Sequence, residues 1–176
     1  MSSWFAKMIG TEMKLDNLEN VLLLQLRDLS SAEEQLIDAL PKMAEAAANP
    51  DLQSAFRTHL EETRGHKDRL DQAIRLLGKE PGSETCAAMK GLISEGEEII
   101  GTDGDPDVKD AAIIAAAQRV EHYEMAGYGC ARSFARRLGH MQVAALLQQT
   151  LDEEANADKL LTELAENVVN EHAARS

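Results

Sequence analysis

The sequence has few aromatic residues and a deficit of positive charge. Phe, Trp and Tyr make up 3% of its 176 residues, and 18 Lys and Arg face 31 Asp and Glu, which gives a formal net charge of -13. Proteins bind the phosphates of nucleic acids and the head groups of anionic lipids through basic patches. We therefore expect neither nucleic acid nor a membrane among the partners.

The sequence also lacks long apolar runs. No stretch approaches the length of a transmembrane helix, and the first eight residues lack the continuous apolar segment of a signal peptide. These absences favour a cytoplasmic location. Only two cysteines are present, Cys86 and Cys130, and they form no CxxC pair. We therefore expect no rubredoxin-like or zinc module and interpret both cysteines as small buried apolar residues.

The remaining composition, rich in Ala, Leu and Glu, is typical of helical bundles. The length suits one domain, and we expect an N-terminal arm at residues 1–15 and a helical domain at 16–172. Asn49-Pro50 and Asp105-Pro106 each combine a favoured N-cap with proline at the first helical position, which predicts a helix start. The apolar periodicity predicts helices at Asn17–Ala47, Pro50–Leu77, Glu84–Ile100, Pro106–Leu138 and Met141–Glu171.

The connection between the second and third long helices is long enough to be a crossover. It contains a short amphipathic helix of its own, so that two long helices can run parallel. Pro41 predicts a kink in the first long helix, although the apolar pattern continues past it. The sequence thus predicts an all-α fold, a four-helix bundle with a long crossover that contains a short fifth helix.

Ionisable residues interrupt the apolar face of each long helix near its middle. The stripe of the third long helix is apolar at both ends but has Glu121 and Glu124 at its centre, one turn apart on the same face. Helices of about 30 residues span about 45 Å, so mid-helix positions in an antiparallel bundle lie at similar heights. The candidates at this height are Glu33, Glu62, His66, Glu121, Glu124, Glu154 and Asp158.

These side chains point to a metal site. Carboxylates in an apolar stripe are costly to bury unless they are paired or bind a metal, and no basic residue shares the stripe of Glu121 and Glu124. Carboxylate and imidazole ligands suit iron or manganese, whereas structural zinc favours thiolates. The sequence therefore predicts two metal ions, with iron favoured and manganese as the alternative. Because six carboxylates around two divalent ions would leave a surplus of negative charge, we expect an oxidised pair or one protonated carboxylate.

Each candidate also has a structural interpretation. A single Glu on an apolar stripe commonly reaches solvent from its flank, but four interruptions at one height favour a site. We interpret His59 as a residue that orients a ligand or as a hydrogen-bonded core histidine, and Tyr128 as a donor to a ligating carboxylate or as packing. Residues expected at the surface or rim are Tyr123, His122 and His140, and neighbouring acids that resemble ligands are Glu34, Glu61 and Glu153.

Four segments resemble the YciE/YciF family of ferritin-like bacterial proteins. They are LRDLSSAEEQLIDAL at 26–40, HLEETRGHKDRL at 59–70, QRVEHYEMAGYG at 118–129 and LDEEANADKL at 151–160, and the similarity extends over about residues 16–168. The resemblance implies a ferritin-like four-helix bundle, a distant relation to rubrerythrin, a two-metal carboxylate centre and a connection with bacterial stress.

The resemblance also implies positions for the ligands. The glutamates would be Glu33 on the first long helix, Glu62 on the second, Glu121 as the bridging residue and Glu124 as an extra residue on the third, and Glu154 on the fourth. Di-iron proteins of this type commonly carry Glu-x-x-His on two of these helices. Here His66 follows Glu62 by four residues, and Asp158 stands in place of the second histidine. These departures make one half of the site more anionic.

The predicted metal site and the resemblance together suggest a di-iron, or iron–manganese, protein. We expect it to react with oxygen or peroxide, as an oxidase or peroxidase, in a stress response. Its reductant would come from a separate electron-donor protein, because no rubredoxin-like module is fused. A homodimer is expected from the resemblance alone. The non-catalytic alternatives are iron sequestration and a structural bundle that binds another protein.

Overall fold

The computed structural model describes residues 15–82 and 84–176, and this part of the chain contains helices, turns and loops but no β-strand. The helices are α1 (Leu18–Ala46), α2 (Pro50–Leu76), α3 (Ala87–Gly101), α4 (Pro106–Arg137), α5 (Met141–Leu164) and α6 (Asn170–Ala173). The predicted all-α fold is confirmed. None of these helices combines the length and apolarity that a bilayer crossing requires. The expected N-terminal arm lies outside the described residues except for Leu15.

The long helices start at capping residues that the sequence identifies. The side chains of Asn17, Asn49 and Asp105 each accept a hydrogen bond from a backbone N–H group in the first turn of α1, α2 and α4, respectively. Such caps satisfy donors that a helix N-terminus otherwise leaves free. Gly78 and Gly139, with φ angles of 69° and 82°, follow the ends of α2 and α4 in the left-handed conformation that favours glycine.

Two helices differ from the prediction. α3 begins three residues later than expected, because Cys86 is its N-cap and the Cys86 sulfur accepts a hydrogen bond from the backbone N–H of Met89. The last long helix is not one continuous α-helix. α5 ends at Leu164 and passes through a π-helical turn at Ala165–Val169 before α6 begins. The first long helix continues past Pro41, as predicted.

The four long helices α1, α2, α4 and α5 form the bundle. α1 contacts α2 and α4, while α5 contacts α4 and α2. Near the start of α4, the Asp110 carboxylate accepts hydrogen bonds from the backbone N–H groups of Ala48 (2.9 Å) and Asn49 (2.7 Å) in the turn between α1 and α2. α4 therefore starts at the same end as α2 and runs parallel to it. The crossover that this requires contains α3, which packs on α1 and α4.

Two apolar clusters fill the bundle, one toward each end. Members of the first are Leu36, Leu40, Leu52, Phe56, Ile113 and Leu161. Members of the second are Leu22, Leu26, Leu70, Ile74, Ala131 and Leu147. In each long helix the ionisable positions predicted for the site lie between the residues of the two clusters. The apolar core is thus divided by a polar layer at mid-height.

Candidate metal centre

Six ionisable side chains from all four long helices meet in this polar layer. Each is at most 6% exposed. They form two groups, and within each group one donor atom of every residue lies within 4.8 Å of the others. The first group is His59, Glu121, Glu124 and Glu154, and the second is Glu33, His66 and Glu154.

The Glu154 carboxylate connects the two groups. Its Oε2 lies 3.6 Å from Nε2 of His59, and its Oε1 lies 2.9 Å from Nδ1 of His66. His59 Nε2 is also 3.5 Å from Oε1 of Glu121, and His66 Nδ1 is 3.4 Å from Oε1 of Glu33. One carboxylate therefore presents a different oxygen to each group, which is the arrangement of a bridging ligand.

Most donor atoms of the two groups have no hydrogen-bond partner among the residues that the structure describes. In the described part of the chain, ten buried side-chain nitrogen and oxygen atoms lack one, and eight of them belong to these six residues. They include both carboxylate oxygens of Glu124 and of Glu154, and Nδ1 of His66, whose short contacts lack hydrogen-bond geometry. Buried polar atoms are rarely left unpaired because their desolvation is uncompensated. The donor set therefore fits metal cations, which would coordinate these atoms.

Neighbouring carboxylates orient both histidines. Nε2–H of His66 donates to Oε2 of Glu153 (3.0 Å), and Arg69 donates to the same oxygen. Nδ1 of His59 lies 3.4 Å from Oε2 of Glu62. In each neutral imidazole the proton is thus held on the outer nitrogen, and the lone pair of the inner nitrogen faces the group. This is the arrangement by which carboxylates fix the tautomer of a metal-binding histidine.

Tyr128 contacts the site from the second apolar cluster. Its phenol is completely buried and donates a hydrogen bond to Oε1 of Glu33. Burial, reinforced by the charges of Glu33 and Glu124, raises the pKa of Tyr128 well above its ordinary value, so the hydroxyl stays protonated and remains a donor. The structure shows both interpretations of Tyr128 together, since its ring packs in the second apolar cluster and its hydroxyl donates to a carboxylate of the candidate site.

Burial and neighbouring charges shift the pKa values of the ionisable groups in the polar layer. Burial raises the pKa of Glu33 and of Glu124, and raises that of Glu121 to about 8. Burial lowers the pKa of His59, but Glu121, Glu62 and Glu154 outweigh it and raise the value to about 9. Burial also lowers the pKa of His66, but Glu154 and Glu33 outweigh it and raise the value to about 10. In the metal-free protein, protons therefore compensate the clustered carboxylates.

A cavity of about 110 Å³ adjoins the first group between α2 and α5. Its lining includes His59 and Glu121 from the group, Glu62 at the rim, and the apolar residues Phe56, Ala157 and Leu161. An apolar cavity of about 150 Å³ accommodates benzene. The space beside His59 and Glu121 therefore suits molecules of only a few atoms.

Comparison with known proteins places this architecture in a family. The family model described as "Domain of unknown function (DUF892)" matches residues 17–174. The chain belongs to the DUF892 family. Protein YciF of Escherichia coli (strain K12) is 45% identical over 162 residues, which cover 92% of this chain and 98% of the relative. The predicted membership of the YciE/YciF family is thereby confirmed.

Solved structures agree with the fold of this DUF892 chain. The crystal structure of the E. coli stress protein YciF superposes with a TM-score of 0.86 at 45% identity, covering 89% of this chain and 99% of that one. YcfI from Rhodopseudomonas palustris superposes with a TM-score of 0.82 at 43% identity, covering 87% of this chain and 96% of that one. A protein from Xanthomonas campestris gives 0.73 at 22% identity, with 90% and 98% covered, and shares the fold alone.

The DUF892 structure brings most of the predicted ligands together. Glu33, His66, Glu121, Glu124 and Glu154 all belong to the two groups. Glu62 and Asp158 do not. The Glu62 side chain is 41% exposed and contacts His59 from outside. The Asp158 carboxylate accepts a hydrogen bond from Gln118 (3.1 Å) and lies 3.3 Å from Nε2 of His122. That these seven residues bind metal stays a prediction.

Sequence reasoning missed three features of the site and its surroundings. His59 lies within the first group, and a signal was available: it precedes His66 by seven residues, which places both on one helix face. Glu153 is the residue that orients His66, while Glu34 and Glu61 are exposed, as expected of neighbouring acids. The burial predicted for both cysteines is wrong for one of them, because Cys130 lies on the outward face of α4.

Proposed function

We propose that this protein is a ferritin-like di-metal carboxylate protein that reacts with dioxygen or peroxide. The observation that carries the proposal is the Glu154 carboxylate, which presents one oxygen to each of two buried donor groups. A buried, unpaired carboxylate is strongly destabilising. Cations in both groups would give these oxygens their partners.

The donor set supports two ions and favours iron. It contains carboxylates and imidazoles but no thiolate, a combination that suits iron and, as the alternative, manganese. Four buried carboxylates, rather than the six expected from the sequence, belong to the groups. Their four negative charges balance two divalent cations when both imidazoles are neutral. An oxidised pair is therefore not required for charge balance.

The protein's own groups would hold and shield this centre. Bound iron supplies Lewis acidity and the electrons that reduce dioxygen or peroxide. Glu153 and Glu62 orient the two histidines, the Tyr128 hydroxyl holds Glu33, and the apolar clusters on both sides keep bulk water away. The cavity beside His59 and Glu121 gives small oxidants a place next to the first group.

One of the comparisons supports a role in stress. YciF, the E. coli relative with 45% identity, is described as a stress protein. We extend this role to the present chain and propose that it acts as a homodimer, receives electrons from a separate donor protein and works in the cytoplasm. Size-exclusion chromatography tests the oligomer, and it also tests iron storage, since a dimer is too small to enclose a mineral core.

Metal analysis of protein purified without added metal tests the proposal. We expect about two ions per chain, chiefly iron, and metal-dependent consumption of hydrogen peroxide with a chemical reductant present. Glu121→Gln should abolish the consumption, because Glu121 belongs to the first group. Glu34→Gln, which removes one exposed acid, is the matched control and should behave as the parent protein. A folded, iron-loaded protein that leaves peroxide untouched would favour sequestration, and a folded protein that takes up no metal would favour a structural bundle.

A further inference from the structure

A thiol and a phenol lie in contact beside the candidate centre. Sγ of Cys86 is 3.0 Å from the hydroxyl oxygen of Tyr123, and the Tyr123 hydroxyl donates its proton to Asp28. Since that proton is already engaged, the thiol of Cys86 is the donor in the Cys86–Tyr123 contact. Tyr123, expected at the surface or rim, is instead partly buried within a polar cluster that joins α1, the start of α3 and α4.

This cluster lies next to the metal ligands proposed above. Tyr123 stands between Glu121 and Glu124 in α4. Cys86, the N-cap residue of α3, contacts the hydroxyl group of this tyrosine. Neighbouring residues of a helix are only a few ångströms apart, since consecutive Cα atoms are separated by about 3.8 Å. Electrons from Tyr123 therefore have a short path to the centre.

Direct oxidation of Cys86 by dissolved peroxide is unfavourable. Its side chain is 1% exposed, and burial raises the pKa of the thiol, so the reactive thiolate is scarce. Cys130, the second cysteine, is exposed and lacks such a tyrosine contact among the described residues. Oxidising equivalents can reach Cys86 from inside the protein, through the phenol that it contacts.

We propose that Tyr123 and Cys86 form an internal two-electron donor to the candidate centre and become joined by a thioether bond when peroxide is reduced without an external reductant. This inference rests on the proposed function. Tyr123 is poised for the first step because Asp28 accepts its hydroxyl proton as the electron leaves. Tyr128 directs its proton to Glu33 instead and has no such thiol contact among the described residues.

The reaction is balanced by one hydrogen peroxide. The S–H bond of Cys86 and one Cε–H bond of Tyr123 break, and a Cε–S bond forms. The two electrons and two protons that are released reduce the peroxide to two water molecules, and the phenol proton returns from Asp28. The Cε atoms adjoin the carbon that bears the hydroxyl, so they are the ring positions that Sγ reaches with the smallest movement from its present contact.

Peptide mass spectrometry tests this step with the Cys130→Ser protein, in which no intrachain disulfide can form. Iron-loaded protein is treated with hydrogen peroxide without a reductant and then digested with trypsin. We expect peptides 80–90 and 120–132 to appear as one species that lacks two hydrogen atoms and survives dithiothreitol. Fragmentation should locate the link at Tyr123 rather than Tyr128.

Tyr123→Phe in the same background should retain its iron and lose the linked species. Protein that binds iron and consumes peroxide yet yields separate peptides would overturn the donor pair and leave the proposed function intact. Protein that neither binds iron nor consumes peroxide would overturn both. Addition of oxygen to Cys86 to the same extent with and without Tyr123 would also contradict the inference, because it would show direct oxidation of the thiol.

Discussion

Oε2 of Glu153 lies 3.0 Å from Nε2 of His66 on the neighbouring helix. The same oxygen accepts a hydrogen bond from Arg69, whose Nε donates to the Thr150 hydroxyl at 2.9 Å. Glu153 is thus fixed from the outside of the bundle and fixes His66 in turn. An acid that the sequence marks only as the neighbour of Glu154 therefore determines which imidazole nitrogen faces the candidate centre.

Glu153→Ala should weaken metal binding by about 10–100-fold, the usual effect of removing a partner that orients a ligand. Glu153→Gln should recover most of the affinity, because its amide oxygen can still accept from His66. Competition with a chelator of known affinity measures both. Glu61→Ala removes an exposed acid of the same charge from α2 and is the control. Equal losses in the Glu153→Ala and Glu61→Ala proteins would mean that only long-range charge matters.

The shared position of Glu154 predicts different metal stoichiometries for two substitutions. Glu154→Ala removes a donor from both groups and should lose both ions. Glu33→Ala removes a donor from the second group only and should leave about one ion per chain. Elemental analysis after gel filtration measures the ratio, with Glu34→Ala as the matched control. Retention of both ions by the Glu154→Ala protein would exclude the bridging assignment.

Replacement of Glu124 by an apolar residue should stabilise the metal-free protein. Neither oxygen of this fully buried carboxyl has a hydrogen-bond partner in the described ranges 15–82 and 84–176, and burial raises its pKa well above the ordinary value. Glu124→Met should increase the free energy of unfolding by about 1–4 kcal/mol, as found when buried ionic groups are replaced by apolar ones. Urea denaturation with a chelator present measures the change.

The same substitution should reverse its effect when metal is supplied. Metal that binds only the folded state stabilises it. The Glu124→Met protein has lost one donor of the first group, so metal should stabilise it less than the parent protein. Glu34→Met, at an exposed position, should change stability by no more than about 0.5 kcal/mol. Destabilisation of the metal-free Glu124→Met protein would show that the carboxyl has an energetically important partner.

The pKa values predict that the metal-free protein loses stability as the pH rises. Folding raises the pKa of Glu121 from 4.5 to about 8, that of His59 from 6.5 to about 9 and that of His66 from 6.5 to about 10. The folded state therefore binds more protons than the unfolded state between about pH 4.5 and 10, so the free energy of unfolding falls across this range. Glu62, whose pKa His59 lowers, acts in the opposite direction at acidic pH.

Metal should counteract this loss. Ions compete with protons for the same donors, so stabilisation by metal should grow as the pH rises from 6 to 9. Thermal unfolding with and without chelator across this range measures the difference. Equal pH dependence of stability in the metal-loaded and metal-free proteins would contradict this prediction. It would mean that metal binding does not depend on the protonation of the polar layer.

The sequence was sufficient for the fold because its signals are local. Asn49-Pro50 and Asp105-Pro106 define helix starts through hydrogen bonds within one turn, and the apolar stripes define the inward faces. The π-helical turn at Ala165–Val169 was not predicted, since its residues carry the same apolar pattern as an α-helix. The length of the crossover correctly indicated that α2 and α4 run parallel.

The exact membership of the site depends on features that periodicity does not contain. Asp158 lies one turn from Glu154 on the predicted stripe, yet its carboxylate contacts Gln118 and His122 instead. His59 lies one turn before Glu62, yet its ring enters the group while Glu62 remains half exposed. A stripe gives the face of a helix to within about one side chain, whereas rotamers and the rotation of neighbouring helices decide which side chain reaches the centre.

The division of the apolar core into two clusters has a consequence for how the molecule unfolds. Each half of the bundle has hydrophobic contacts of its own, and the layer between them holds buried polar atoms that, within the described part of the chain, lack hydrogen-bond partners. Without cations, amide exchange should be fastest at mid-height and the two ends should protect their amides independently. With cations bound, the polar layer should become the most stable part of the bundle. Metal occupancy would then decide whether the bundle unfolds in two stages or in a single cooperative transition.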